Sequence, residues 1–155
     1  MIKAAIFDLN GIFLQSPGLE EGFRLSIKEF IAMLRRKEKV SEEMIGFARE
    51  FKKRGIKVFF LSNSLEEVAR YYREQYPWID EIADKVYFSF ETGLKKPDTR
   101  AWENILSEND LKPEECVYFD DQEKHVAASQ SVGIQAFLFT GEKDFQEKIR
   151  ELKLL

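Results

Sequence analysis

The stretch IFDLNGIF, Ile6 to Phe13, decides the architecture. An apolar run ends on Asp8, and Asn10 and Gly11 follow at once, so a buried strand hands a carboxylate to a turn. Four further runs repeat the pattern. With KAAIFDL (3–9) they are IKVFFLS (56–62), KVYFSF (85–90), CVYFD (116–120) and IQAFLF (134–139). Each is nearly continuous in apolar residues rather than alternating, as in strands covered on both faces of a parallel sheet. The intervening segments carry helical spacing. Phe23, Ile27, Phe30, Ile31 and Leu34 form one stripe, and Met44, Ile45, Ala48 and Phe51 another. Phe145, Ile149 and Leu152 line a last helix. Strands alternating with helices require right-handed crossovers, which predicts an α/β protein with a three-layer α/β/α, Rossmann-like sandwich around a five-stranded parallel sheet.

Local signals set the boundaries. Ser64 with Glu67 predicts a capping box for a helix carrying Leu65, Val68, Ala69 and Tyr72. Lys52, Lys53 and Arg54 before Gly55 read as a helix end. Asp98, after Pro97, is placed to cap the helix that holds Ala101, Ile105 and Leu106. One connection is oversized: residues 10 to 55 separate the first two strands, where a crossover needs only about a dozen. The excess is too short for a domain of its own, so residues 1–155 read as a single domain, with about 12–40 forming a rudimentary helical flap.

Composition narrows the function classes. The 155 residues are 44% hydrophobic and 34% charged, enough for a core in a soluble chain. A net charge of −4 gives no general reason to expect nucleic acid or a membrane surface as partner. The basic cluster Arg35 to Lys39 falls where a helix end favours cations, so a solvated terminus accounts for it. Cys116, the only cysteine, opens an apolar run and reads as a small buried side chain. With no disulfide possible and no secretory pattern in MIKAAIFD, the expected setting is the cytoplasm.

Ligands of open parallel sheets bind beyond the carboxyl ends of the strands. Asp8 closes the first strand, Ser62 and Asn63 the second, and Asp120 and Asp121 the fourth; the loop after the third carries Lys95 and Lys96. Three close carboxylates repel unless a cation lies among them, and an all-oxygen set favours Mg²⁺. An ammonium and a hydroxyl beside the metal suit a tetrahedral dianion. Asp8 is then placed to attack phosphorus. Each group also has a plain structural use, as a turn or helix cap, but their convergence on one rim favours a site.

These residues resemble the haloacid dehalogenase superfamily of phosphohydrolases over nearly the whole chain. FDLNG is similar to the family's first motif, which implies Asp8 as nucleophile. LSNS resembles the second, implying Ser62 as donor to the phosphoryl group and Asn63 as a contributor through its backbone. GLKKPD resembles the third and assigns its lysine to Lys96. VYFDDQEKHVAASQSVGI resembles the fourth, in which Asp120 and Asp121 hold Mg²⁺. The resemblance further implies that the first strand is central, with the second and third on one side and the fourth and fifth on the other.

Departures from the family pattern bear on activity. The family's acid/base aspartate is replaced by Asn10, which cannot titrate, although its backbone carbonyl retains the implied role of metal ligand. Loss of a general acid or base costs about 10²–10⁴-fold in rate. Ile12 stands where threonine is common, and His125, the only histidine, where many relatives have asparagine. His125 is expected beneath the acidic pair or at the surface rather than as a substitute acid. The short flap, shaped by Gly11, Pro17, Gly18 and Gly22, implies an open site suited to a larger substrate or to help from a partner.

The expected function is accordingly a Mg²⁺-dependent phosphohydrolase or phosphotransferase, slow because of Asn10, acting on a phosphorylated small molecule or macromolecule. The alternative is a catalytically silent phosphate- and metal-binding docking protein. A dehalogenase-type hydrolase ranks third, since that branch works without metal and gives no reason for both Asp120 and Asp121. No GxxxxGK motif supports P-loop chemistry.

Overall fold

The computed structural model describes residues 1–16 and 24–155. Pro17, Gly18, Gly22 and Phe23, which the sequence analysis gave to the flap, lie outside the described residues. The chain runs β1 (Ala4–Phe7), β2 (Leu14–Gln15), α1 (Ile27–Lys37), β3 (Lys39–Val40), α2 (Glu42–Lys53) and β4 (Lys57–Ser62). It continues through α3 (Glu66–Gln75), α4 (Trp78–Ile82), β5 (Lys85–Phe88), α5 (Ser89–Thr92) and α6 (Arg100–Glu108). It ends with β6 (Cys116–Asp120), α7 (Glu123–Ser131), β7 (Gln135–Leu138) and α8 (Glu142–Glu151).

The main sheet has the order β5-β4-β1-β6-β7, with every pairing parallel. β1 is central, with Ile6 opposite Phe59 of β4 and Tyr118 of β6. Strand alternation sends Ala5 and Phe7 to one face and Ala4 and Ile6 to the other. The first face packs against α1, α2, α3, α4 and α8, and the second against α6 and α7. This is the expected three-layer sandwich. Phe7 anchors the first layer, with its ring 5.3 Å from Phe13, 5.7 Å from Phe119 and 6.0 Å from Phe145. Trp102 and Tyr118 meet edge to face in the second. Among the described residues, no helix is long and apolar enough to cross a membrane.

Several boundaries differ from the sequence reading. β5 stops at Phe88, and Ser89–Thr92 form a helical turn instead of prolonging the strand. The capping box at Ser64 does not form. α3 begins at Glu66 with Leu65 as its cap residue, because Ser64 turns to the neighbouring strand end and its N–H donates to Ser89 Oγ at 2.9 Å. That bond has the Ser64 N–H as donor, so the residue is held as a loop junction. Asp98 accepts the first helical N–H, from Arg100, at 3.0 Å, although the cap position itself falls on Thr99. Gly55, at φ +79°, ends α2 as expected.

The flap is not purely helical. β2 and β3 pair antiparallel, Leu14 opposite Val40 and Gln15 opposite Lys39, and so form a stem beneath α1. Two-residue strands carry too little pattern to be read from sequence. Arg35, Arg36 and Lys37 occupy the last turn of α1, as anticipated, with the Arg35 guanidinium 5.3 Å from the Tyr71 ring.

Because Phe7 joins the central strand to three elements of one layer, Phe7→Ala is expected to cost about 3–5 kcal/mol of unfolding free energy. Urea titration measures it. A loss below about 1 kcal/mol would show that the layer does not depend on this ring.

Candidate active site

The carboxyl ends of β1, β4 and β6 bring Asp8, Ser62 and Asp120 to one rim, and the loop after α5 swings Lys96 beneath them. Lys96 Nζ lies 3.1 Å from Asp8 Oδ1 and 3.1 Å from Asp120 Oδ2. Its side chain is 1% exposed, against 9% and 0% for the two carboxylates. Lys95 points outward and is exposed, so the structure separates the two neighbouring lysines.

Asp120 is the most heavily bonded group. Its Oδ2 faces His125 Nδ1 at 3.0 Å and also accepts from Tyr118 Oη, while Oδ1 accepts from Gln122 N at 2.9 Å. Burial alone would raise its pKa. The His125 bond, the Lys96 charge and the Tyr118 bond outweigh that and hold it well below the usual carboxylate range. His125 is thus buried against Asp120 and does not lie at the surface. Tyr118 was missed from the sequence, yet alternation along β6 places residues 118 and 120 on the same face.

Asp8 Oδ1 also accepts from Leu9 N at 2.9 Å. Burial pushes the Asp8 carboxyl up, with Lys96 acting against that shift. Asp121 completes the cluster: one oxygen each from Asp8, Asp120 and Asp121 lie within 4.8 Å of one another. Burial and the nearby Asp8 charge push Asp121 up to about 6. Its carboxylate lies directly over Gly11, where an added Cβ would come 2.1 Å from Asp121 Oδ2. Glycine is required there twice over, since φ is +85°.

The donor set fits a hard divalent cation. Three carboxylates against one ammonium leave two formal negative charges, and every available ligand is an oxygen. An oxyanion is also accommodated. Ser62 Oγ is buried and has no hydrogen-bond partner among the described residues, an arrangement that costs free energy unless something at the site accepts from it.

Two residues expected to act through their backbone also make side-chain bonds. The Asn63 side chain clamps the main chain of Lys96: Nδ2 donates to Lys96 O at 2.9 Å and Oδ1 accepts from Lys96 N at 2.9 Å. Its amide therefore holds the loop that presents Lys96. Asn10 Nδ2 donates to Tyr72 Oη at 2.6 Å. Tyr72 in turn donates to Glu38 Oε2 at 3.3 Å, and Tyr76 and Ser16 donate to the same carboxylate at 2.8 and 2.5 Å. Glu38 carried no sequence signal and Tyr72 read only as part of a helical stripe, because their meeting depends on how α1 packs against α3.

Comparison with known proteins supplies the family and the fold. Residues 7–133 match the family described as haloacid dehalogenase-like hydrolase. The chain belongs to this family. It is 28% identical over 110 residues to the sesquiterpene phosphatase astK of Aspergillus oryzae, covering 70% of this chain and 55% of that protein. The chain spans about half the length of the curated relatives it matches. Among solved structures, a predicted HAD-like family hydrolase from Porphyromonas gingivalis superposes with a TM-score of 0.73 at 23% identity, covering 99% of this chain and 98% of that one. A HAD family enzyme from Bacteroides thetaiotaomicron, solved in complex with magnesium and inorganic phosphate, gives 0.65 at 19% identity over 89% and 94% of the two chains. The fold is theirs, and the acidic cluster of this chain could hold a metal.

The cluster makes stability depend on pH. With its folded pKa near 6, Asp121 keeps its proton over about pH 4–6, where the unfolded chain has lost it. Its contribution therefore falls as pH rises through that window, and Asp8 acts in the same sense. Asp120 is ionised in both states there and adds a constant. The metal-free protein should melt at a lower temperature at about pH 7 than at about pH 4.5, with Mg²⁺ restoring the midpoint at the higher pH. Asp121→Asn should weaken both effects, leaving the part of the pH dependence that Asp8 contributes. A midpoint indifferent to Mg²⁺ would contradict this account.

Proposed function

We propose that this protein is a Mg²⁺-dependent phosphohydrolase or phosphotransferase that works through a phosphoryl group on Asp8. The observation that carries the reading is the buried Ser62 hydroxyl at the end of β4, without a hydrogen-bond partner among the described residues, on the same sheet rim as the Lys96–Asp8 pair: a donor and a cation at the strand ends that present a carboxylate. The phosphatase name of the Aspergillus relative and the phosphate complex of the Bacteroides structure support it.

Asp8 Oδ1 is held by Leu9 N–H and Lys96, so Oδ2 is the attacking oxygen. As it bonds to phosphorus, the bond to the leaving oxygen breaks. Ser62 Oγ–H donates to the phosphoryl oxygens, and Lys96 balances the charge as Asp8 changes from carboxylate to acyl phosphate. Water then attacks phosphorus, the bond to Asp8 breaks, and the carboxylate returns. Mg²⁺ held by Asp8, Asp121, Asp120 and the Asn10 carbonyl would supply further neutralisation at the phosphoryl group. Asp121 is the better direct ligand of the acidic pair, because both Asp120 oxygens already accept hydrogen bonds.

Asn10 shapes the outcome. Its amide neither protonates the leaving oxygen nor accepts a proton from water. Leaving groups that are weak bases, such as phenols, carboxylates and phosphates, need little protonation, whereas sugar hydroxyls need much. Aryl, acyl and anhydride phosphates should therefore turn over faster than sugar phosphates, and the phosphoryl-enzyme should persist.

Intact-mass spectrometry after incubation with acetyl phosphate and Mg²⁺ tests this. Wild type should carry a lasting phosphoryl adduct that Asp8→Asn lacks. Asn10→Asp should clear it about 10²–10⁴-fold faster. If wild type shows neither adduct nor phosphate release while still binding Mg²⁺ and phosphate, the chain is a docking protein and not an enzyme.

A further inference from the structure

A cavity of about 510 Å³ opens from Asp8 outward between the first turns of α1 and α3. That volume falls within the range of about 300–1,000 Å³ common for small-molecule sites. Its floor is polar, made by Asp8, Asn10, Asn63 and Lys96. Its outer walls are hydrocarbon: Leu25, Ile27 and Phe30 from the α1 side, Leu65 and Val68 from the α3 side. Positions 27 and 30, like 65 and 68, are one helical turn apart and so share a face. A second, smaller cavity of about 300 Å³ lies on the other side of Asp8 and Asn10, beside Asp121, Gln15 and Ser16. The reacting centre therefore has a polar side, where the acidic cluster lies, and an apolar side.

The apolar side is a local feature. Among the described residues the exposed large hydrophobics are Met1, Leu25, Ile27, Leu65, Phe90 and Leu138, and three of these six line this one cavity. Grouped exposed hydrocarbon beside a polar floor marks a contact surface for something apolar. The wall also offers little to a polyol or a second anion. Among the described lining residues Lys96 is the only lysine or arginine, and it is already paired with Asp8 and Asp120. Each atom of the Asn63 amide already bonds to Lys96, Ser64 Oγ donates to Leu65 O, and Tyr72 Oη bonds to Asn10 and Glu38, which leaves the Gln122 amide as the main uncommitted polar side chain of the lining. A sugar placed here would trade water for hydrocarbon without regaining its hydrogen bonds.

We infer that this chamber seats the organic group of the substrate, so that the protein acts on phosphate esters of hydrocarbon-rich alcohols or phenols and not on sugar phosphates or nucleotides. The inference rests on the reading of Asp8 as the phosphoryl-accepting centre. The phosphoryl group lies on the floor against Asp8 and Lys96. The organic group extends between Ile27 and Leu65 toward solvent. This preference is separate from the one imposed by Asn10, which concerns the basicity of the leaving oxygen and not the size of the hydrocarbon behind it.

A series of 4-alkylphenyl phosphates, from phenyl to 4-hexylphenyl, holds leaving-group basicity nearly constant while hydrocarbon grows. With Mg²⁺ present, kcat/KM should climb by up to about fourfold per methylene enclosed and level off when the chain leaves the chamber. Leu65→Asp and Ile27→Asp should flatten the gradient. Both positions are exposed, 58% and 39%, and both lie at helix starts, where an aspartate suits the dipole, so neither change endangers the fold. A flat wild-type series, or a gradient that both variants leave intact, overturns the inference. So does a flat series accompanied by self-association that Leu65→Asp abolishes, which would make the patch an interface between copies. Binding of the matching 4-alkylphenyl phosphonates, followed by calorimetry, separates this inference from the catalytic reading. If no ester is turned over but phosphonate affinity climbs with chain length in wild type and not in the variants, the chamber stands and the hydrolase reading falls.

Discussion

A single buried ammonium organises the rim of this sheet. Lys96 reaches from the loop after α5 to touch the carboxylates that end β1 and β6, and all three side chains are nearly shut off from water. A buried charge is tolerable only when paired, and stripping one partner from such a pair typically costs about 3–5 kcal/mol. The loops after three different strands are therefore tied by electrostatics at the point where backbone hydrogen bonding stops. The Asn63 clamp on the Lys96 main chain adds a fourth strand end to the same tie. The cluster is positioned by its own charges, and Asp121, the carboxylate without a cation beside it, is pushed up by burial and by the Asp8 charge.

The sheet beneath supplies rigidity. Its central strand is completely buried and paired on both sides, so Asp8 projects from the most constrained point of the molecule. Around it the layers divide the labour. The face bearing Phe7 is filled with stacked and edge-to-face aromatic rings, and the opposite face holds α6 and α7, the latter positioning His125 under Asp120. The flap joins this frame through buried Phe13, Leu14 and Leu34 and through hydroxyl bonds from Tyr72 and Tyr76 to Glu38, whose carboxyl burial pushes up in pKa.

What could be read from the sequence follows from how local each cause is. The five strands were legible because burial on both faces removes polar residues from the run itself. Strand-end groups were legible because a parallel sheet presents its carboxyl ends together, so Asp8, Ser62, Asp120 and Lys96 could be grouped without knowing a distance. Partnerships were harder. Asn63 was assigned to the phosphate through its backbone by resemblance, and nothing in the sequence announced that its side chain would clamp Lys96. Ser64 has the residue type and spacing of a helix cap, but a serine 25 residues later competes for it. Glu38 and Tyr72 meet only because α1 crosses near α3, a tertiary fact with no trace in either segment. The apolar chamber was hidden for a related reason: Leu65 and Ile27 fit their helical stripes as core residues, and only the three-dimensional packing leaves them uncovered.

The short β2–β3 stem has a consequence for how this chain could be altered. By pairing Gln15 with Lys39, it brings the start and the finish of the intervening segment side by side, with Ser41 N–H bonded to Phe13 O at their base. Whatever lies between those two positions enters and leaves through one narrow gate, and the cost of closing a loop grows only slowly with its length. Segments of different size could be spliced there without asking the sheet to move. The frame that holds Asp8 and the segment that roofs it are thus separable in inheritance: one can be kept while the other is exchanged, and a chain of this design can change what it admits without rebuilding what it does.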